Sequence, residues 1–150
     1  MSLPGLQQIA HWALKVYDLD RSLQFYRDTL GFDEMLRLSN ADGPPDTHFS
    51  LVYLRVTDTQ YLELFPDGIG NSVPNEKMTC MTHICLQVES IAATAAQLRK
   101  LGISLMRPEK LGLDGNSQCW VLDPDGNRIE FMQMLPGNMQ DKAIARLKGL

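Results

Sequence analysis

The chain has 150 residues, 44% of them hydrophobic and 21% charged, with 14 basic side chains against 18 acidic ones and a formal charge of −4. That length supports one full core or two small packed modules, and the acidic balance supplies no cationic excess to displace counterions from nucleic-acid phosphates. No apolar run approaches the roughly 20 residues that span a bilayer and the N-terminus lacks a signal-peptide layout, so the expectation is a cytoplasmic protein with no membrane partner.

Taken in order, residues 8–16 alternate with period two. Ala10, Trp12, Leu14 and Val16 face one way, and His11, Ala13 and Lys15 the other. This predicts a strand with one face on a core and the other toward a wet cavity. Residues 18–31 follow as a predicted helix, opened by acidic residues, closed by Gly31 and striped by Leu19, Leu23, Tyr26 and Leu30. Strands are predicted at 32–38, 49–56 and 60–65, the last two joined by a turn at 57–59. Residues 39–47 and 66–79, punctuated by proline and glycine, are predicted loops.

The second half repeats this order. In residues 81–88, Thr82, Ile84, Leu86 and Val88 oppose His83, Cys85 and Gln87, again a strand with a histidine on its polar face. A helix is predicted over 90–102, with Ile91, Ala95 and Leu98 as its stripe, and His83 precedes Gly102 by almost the same interval as His11 precedes Gly31. Strands are predicted at 103–106, 118–122 and 128–133, with a loop at 107–116 and a tight hairpin at Asp123-Pro124-Asp125-Gly126. Each half is therefore βαβββ. The expected fold is α+β: a single domain over 1–135 made of modules 8–66 and 80–134, forming a curved, barrel-like sheet around a metal cavity. Residues 136–150 are expected to be a helical tail, with Met139, Ile144 and Leu147 covering a surface or contacting a second copy.

The last strand of each half carries a carboxylate among apolar neighbours. Glu63 lies between Tyr61 and Phe65 on the face opposite Leu62 and Leu64, and Glu130 lies between Arg128 and Met132 opposite Ile129 and Phe131. Burying a carboxylate there is unfavourable unless it is paired or bound to a cation. A lone strand histidine or glutamate is ordinarily structural, but one of each recurs at corresponding places in both halves. The predicted site is His11, Glu63, His83 and Glu130 around one divalent ion: nickel, zinc, cobalt, manganese or iron. Four protein ligands on a six-coordinate ion leave two positions for water or a bidentate substrate. His48 has no counterpart in the other half and is read as structural or solvent-facing. Cys80 and Cys85 flank His83 without a paired Cys-x-x-Cys, which argues against a cysteine zinc cluster, and three cysteines in all fit free thiols better than disulfides.

These marks resemble the vicinal oxygen chelate superfamily, the glyoxalase, bleomycin-resistance and extradiol dioxygenase group. The resemblance rests on Ile9-Ala10-His11, the run from Asp18 to Tyr26, Thr29-Leu30-Gly31, Tyr61-Leu62-Glu63, Thr82-His83 and the run from Asp123 to Phe131. The His, Glu, His, Glu order is similar to that of glyoxalase I, lactoylglutathione lyase; ring-cleaving relatives typically use His, His, Glu, and methylmalonyl-CoA epimerases typically have glutamine where Glu63 stands. The resemblance implies isomerisation of a methylglyoxal–glutathione hemithioacetal to lactoylglutathione by proton transfer through a metal-bound enediolate, with glutathione as cosubstrate. Glu130 would be the proton-transfer base and Glu63 a ligand and partner in the transfer. Lys15 stands where bacterial glyoxalase I commonly has a carboxylate-gripping arginine, and Asp67 where it commonly has an asparagine, so both are expected substrate-binding residues. The alternatives are an epimerase-like or dioxygenase relative, or a metal-free binder of the bleomycin-resistance kind. Short members often form homodimers, with the site within one chain or shared across two.

Overall fold

The structure, a computed structural model, describes residues 4–40, 50–70 and 81–149. His48, Cys80 and most of both predicted loops of the first half lie outside the described residues. The chain divides into two compact units, Met1–Ser72 and Val73–Leu150. Among the described residues, no helix is long and apolar enough to cross a membrane.

The first unit runs β1 (His11–Lys15), α1 (Leu19–Leu23), a π-helical run (Gln24–Thr29), β2 (Asp33–Ser39), β3 (Ser50–Thr57) and β4 (Gln60–Phe65). Its sheet has the order β1-β4-β3-β2, with β1 parallel to β4 and the remaining pairs antiparallel. The alternation read from the sequence sorts the faces. Val52, Leu54, Leu62 and Leu64 are all 1% exposed or less and, with Leu14, form the core face, joined by Leu23 and Tyr26 from the helical segment. Asp18 caps α1 by accepting from the Arg21 N–H.

The single regular helix expected over 18–31 is corrected. After Leu23 the spacing widens, with the Leu30 N–H donating to the Phe25 carbonyl, five residues back, at 2.9 Å. Thr29 Oγ1 takes up the Gln24 carbonyl at 2.8 Å. Leu23 and Tyr26 are buried while Leu19 and Leu30 are only half-buried, and the wider turn moves Leu30, which lies beyond it, off the stripe.

The second unit has β5 (Ile84–Gln87), α2 (Ile91–Lys100), β6 (Arg107–Leu111), β7 (Ser117–Leu122), β8 (Arg128–Gln133) and α3 (Met139–Lys148). Its sheet order, β5-β8-β7-β6, matches the first, and β5 is again parallel to β8. The fold is thus α+β with two βαβββ modules. Ser90 caps α2 through the Ala93 N–H, and Gln133 Oε1 accepts from the Ile91 N–H at 3.0 Å, tying the helix start to β8. Ile91, Ala95 and Leu98, the predicted stripe, are each 3% exposed or less.

One strand is displaced from its expected place. Residues 103–106 are not a strand, and β6 occupies 107–111, inside the predicted loop. All five β6 residues are exposed, so no apolar alternation announces them. Pro108 falls where the β6–β7 register shifts, on a sheet edge, the setting in which a missing N–H is tolerated.

The start of α3 is tied to the loop between β6 and β7. Asn116, fully buried, donates to Asp114 Oδ2 at 2.9 Å and to Gln140 Oε1 at 3.0 Å, and accepts from the Leu135 N–H at 3.0 Å. Asn138 caps the helix through the Asp141 N–H. Met139, Ile144 and Leu147 remain exposed.

Candidate metal centre

The parallel pairing of first and last strands places the site residues. In the first unit Ala13 is opposite Glu63, and His11, two residues earlier on the same face, is opposite Tyr61. The His11 imidazole crosses to the carboxylate, with Nε2 3.6 Å from Glu63 Oε1. In the second unit Cys85 is opposite Glu130, and His83 lies one residue ahead of β5, not within the longer strand expected. Its Nε2 stands 3.2 Å from Glu130 Oε2. The predicted donors therefore meet two by two, one imidazole with one carboxylate in each unit. Taken by itself, neither unit has three or more His, Cys, Asp or Glu groups gathered as a cage among the described residues.

Each pair suits an edge of a coordination shell. Two donors about 2.1 Å from one ion, at angles between square and tetrahedral, stand about 3.0–3.4 Å apart, so the observed separations need only small side-chain adjustment. Exposure also fits: both carboxylate side chains are 10% exposed, while the imidazoles of His11 and His83 are 47% and 33% exposed. The carboxylates are largely buried and the more exposed imidazoles approach them from the solvent side. Thr82 Oγ1 lies 2.8 Å from His83 Nδ1, so a proton on Nδ1 leaves the Nε2 lone pair directed at the site.

Sequence reasoning missed the side chains that flank the carboxylates. Tyr53 on β3 is the antiparallel partner of Glu63, and its hydroxyl donates to that carboxylate, which holds the phenol pKa above its ordinary value. Trp120 on β7 is the partner of Glu130. Its ring lies 4.7 Å from that of His83, and the Arg107 guanidinium lies over the indole, 5.1 Å from its centroid. The indole N–H is taken by Gln118 Oε1 at 2.5 Å. Counting back from the Asp123–Gly126 hairpin finds Trp120 from sequence. Tyr53 is hidden by a register shift between Arg55 and Thr57. Cys85 is an exposed residue, yet its thiol lies against the sheet: desolvation first, and the facing Glu130 second, push its pKa up to about 12.

Lys15 and Asp67, the expected substrate contacts, are both exposed. Lys15 shares the His11 face of β1 and is registered with Phe65. Asp67 adopts φ +64°, a left-handed conformation that aspartate tolerates better than most residues. The following Gly68 donates its N–H to the Val16 carbonyl at 2.9 Å, so close that a Cβ there would lie 2.9 Å from the same oxygen. The segment after β4 is thereby held against the end of β1, with Asp67 at the bend.

A domain topology of paired βαβββ modules, each presenting a His–Glu pair, defines a class, and comparison with known proteins identifies it. Residues 8–131 match the family described as the Glyoxalase/Bleomycin resistance protein/Dioxygenase superfamily, and the chain belongs to it. It is 35% identical over 132 residues to a lactoylglutathione lyase of Haemophilus influenzae, covering 84% of this chain and 92% of that protein. It is 31% identical over 135 residues to the mitochondrial methylmalonyl-CoA epimerase of Mus musculus, covering 85% and 74% respectively. The crystal structure of a glyoxalase family protein from Enterococcus faecalis shares the fold, with a TM-score of 0.72 at 23% identity over 84% of this chain and 97% of that one.

Proposed function

We propose that the protein is a metal-dependent lyase or isomerase of the glyoxalase I type, working as a cytoplasmic homodimer on a methylglyoxal–glutathione hemithioacetal. His11 and Glu63 from one module and His83 and Glu130 from the other are the proposed ligands of one divalent ion, within a chain or across the dimer. The observation that carries the reading is the repeat itself: equivalent positions in both units hold an imidazole and a carboxylate 3.6 and 3.2 Å apart. A binding protein of the bleomycin-resistance kind has no need of both pairs.

When bound, the ion would supply Lewis acidity to the substrate, stabilising the negative charge that proton removal leaves. Glu130 takes the proton from the first carbon and returns it to the neighbouring one. Glu63 holds its place, and His11 and His83 serve as nitrogen donors throughout. Lys15 offers a positive charge to a substrate carboxylate such as glutathione's, whereas Asp67 repels a carboxylate and suits an amine-bearing or sugar-like substrate instead. Lys15 keeps the charge of an arginine but lacks its bidentate fork.

The second reading, an epimerase acting beside a thioester carbonyl, is supported by the mouse relative. Both reactions move a proton next to a carbonyl, so one panel separates them. Protein loaded in turn with nickel, cobalt, manganese and zinc is assayed with the hemithioacetal and with methylmalonyl-CoA. Turnover of the first alone supports the glyoxalase reading, turnover of the second alone replaces it, and neither substrate reacting with any metal refutes both.

A further inference from the structure

The repeat makes Glu63 and Glu130 equivalent, yet their cross-strand neighbours are not. Glu63 stands between Ala13 on β1 and Tyr53 on β3, whereas Glu130 stands between Cys85 on β5 and Trp120 on β7. Alanine has nothing to donate, so the phenol is the donor that the Glu63 row provides, and a phenolic O–H is a strong one. In the Glu130 row the indole N–H is committed to Gln118, which leaves the Cys85 thiol, a weak donor. Tyr53 is half-buried, with its ring 6.5 Å from that of Tyr61, a contact that restricts the hydroxyl's travel.

We infer that Tyr53 is a positioning residue whose hydroxyl pins Glu63, so that of two carboxylates made equivalent by the repeat only Glu130 is free to swing away and carry a proton. The inference rests on the ligand assignment proposed above. It assigns the unequal roles of the two acids to one oxygen atom on β3.

The test is a double-mutant cycle on the full chain, read as affinity for nickel and for zinc in competition with a chelator. Tyr53→Phe, which keeps the ring and its contact with Tyr61, weakens binding about tenfold, the lower end of what losing a ligand's supporting hydrogen bond does. In a Glu63→Gln background the same substitution changes affinity by less than about twofold, because the pinned charge is already gone. Cys85→Ala weakens binding by less than about threefold, as a poor donor's loss should. Thermal unfolding of each variant establishes that the fold is kept. Tight wild-type binding that Tyr53→Phe leaves within about twofold overturns the inference alone, as does an equal loss in both backgrounds, which marks a general structural role. A wild-type chain that binds neither metal overturns the ligand assignment and the inference together.

Discussion

In the first unit the helical segment changes pitch partway, α1 giving way to a π-helical run, whereas α2 in the second unit is a regular helix of 10 residues. The strands on either side nonetheless take the same order and the same mixture of parallel and antiparallel pairing. The site depends on strand register, and the helix needs only to cover the apolar face behind it. Variation is accordingly found in the helices and in the residues flanking each carboxylate, while the His–Glu pairs are held at equivalent positions.

The sharpest way to break this equivalence is to remove one acid at a time. Glu130→Gln is expected to lower turnover by about 10²–10⁴-fold with metal content retained, the usual size of a lost general base. Glu63→Gln is expected to do the reverse, with the larger effect on metal affinity. Steady-state kinetics and metal analysis of the two variants check this, and equal losses from both would show that the acids are interchangeable.

Next in size is the core behind each pair. Leu62, fully buried beside Glu63, and Ile129, 3% exposed beside Glu130, occupy matching places in β4 and β8. Substituting either with alanine is expected to lower stability by about 2–5 kcal/mol, measured by urea unfolding. Similar losses would support equal packing of the two sheets, and a much smaller loss at one would mark it as the looser.

A feature of the second unit alone comes third. Asn116→Ala strands the Leu135 N–H and removes the link to Gln140. The expected loss is about 1–3 kcal/mol, with faster amide exchange at the start of α3.

The smallest effect separates two surface ion pairs. Hydrogen bonds from Arg37, and then Arg27, hold the Glu34 carboxyl down at about 2, and Arg99 does the same for Glu109, also at about 2. Each acid binds its proton more weakly when folded, so its contribution is fully present above the ordinary carboxylate range near 4.5 and is lost as pH falls toward 2. Arg37→Gln and Arg99→Gln should each flatten the acid limb of stability between those pH values, slightly because the pairs are largely solvated. Acid unfolding followed by circular dichroism measures both, and Arg99→Gln should show the larger change, because Glu109 loses both of its guanidinium hydrogen bonds whereas Glu34 keeps the one from Arg27.

Much of this molecule was determined by the sequence alone. Period-two alternation located β4 and β8 to the residue, and the spacing of Ile91, Ala95 and Leu98 located the buried face of α2. Recurrence of histidine and glutamate in both halves singled out the four proposed ligands, because a local pattern that appears twice carries its own control. Tertiary structure decided what has no local periodicity. It set the edge strand β6, whose exposed residues have no apolar face to read, and the π-helical run, where Leu30 bonds back to Phe25. It also placed Tyr53 opposite Glu63, since the irregularity between Arg55 and Thr57 shifts the partner count by one residue. A one-residue shift moves a side chain to the other face of a sheet, so the identity of the group holding that carboxylate is a property of pairing geometry, which no stretch of the chain contains by itself.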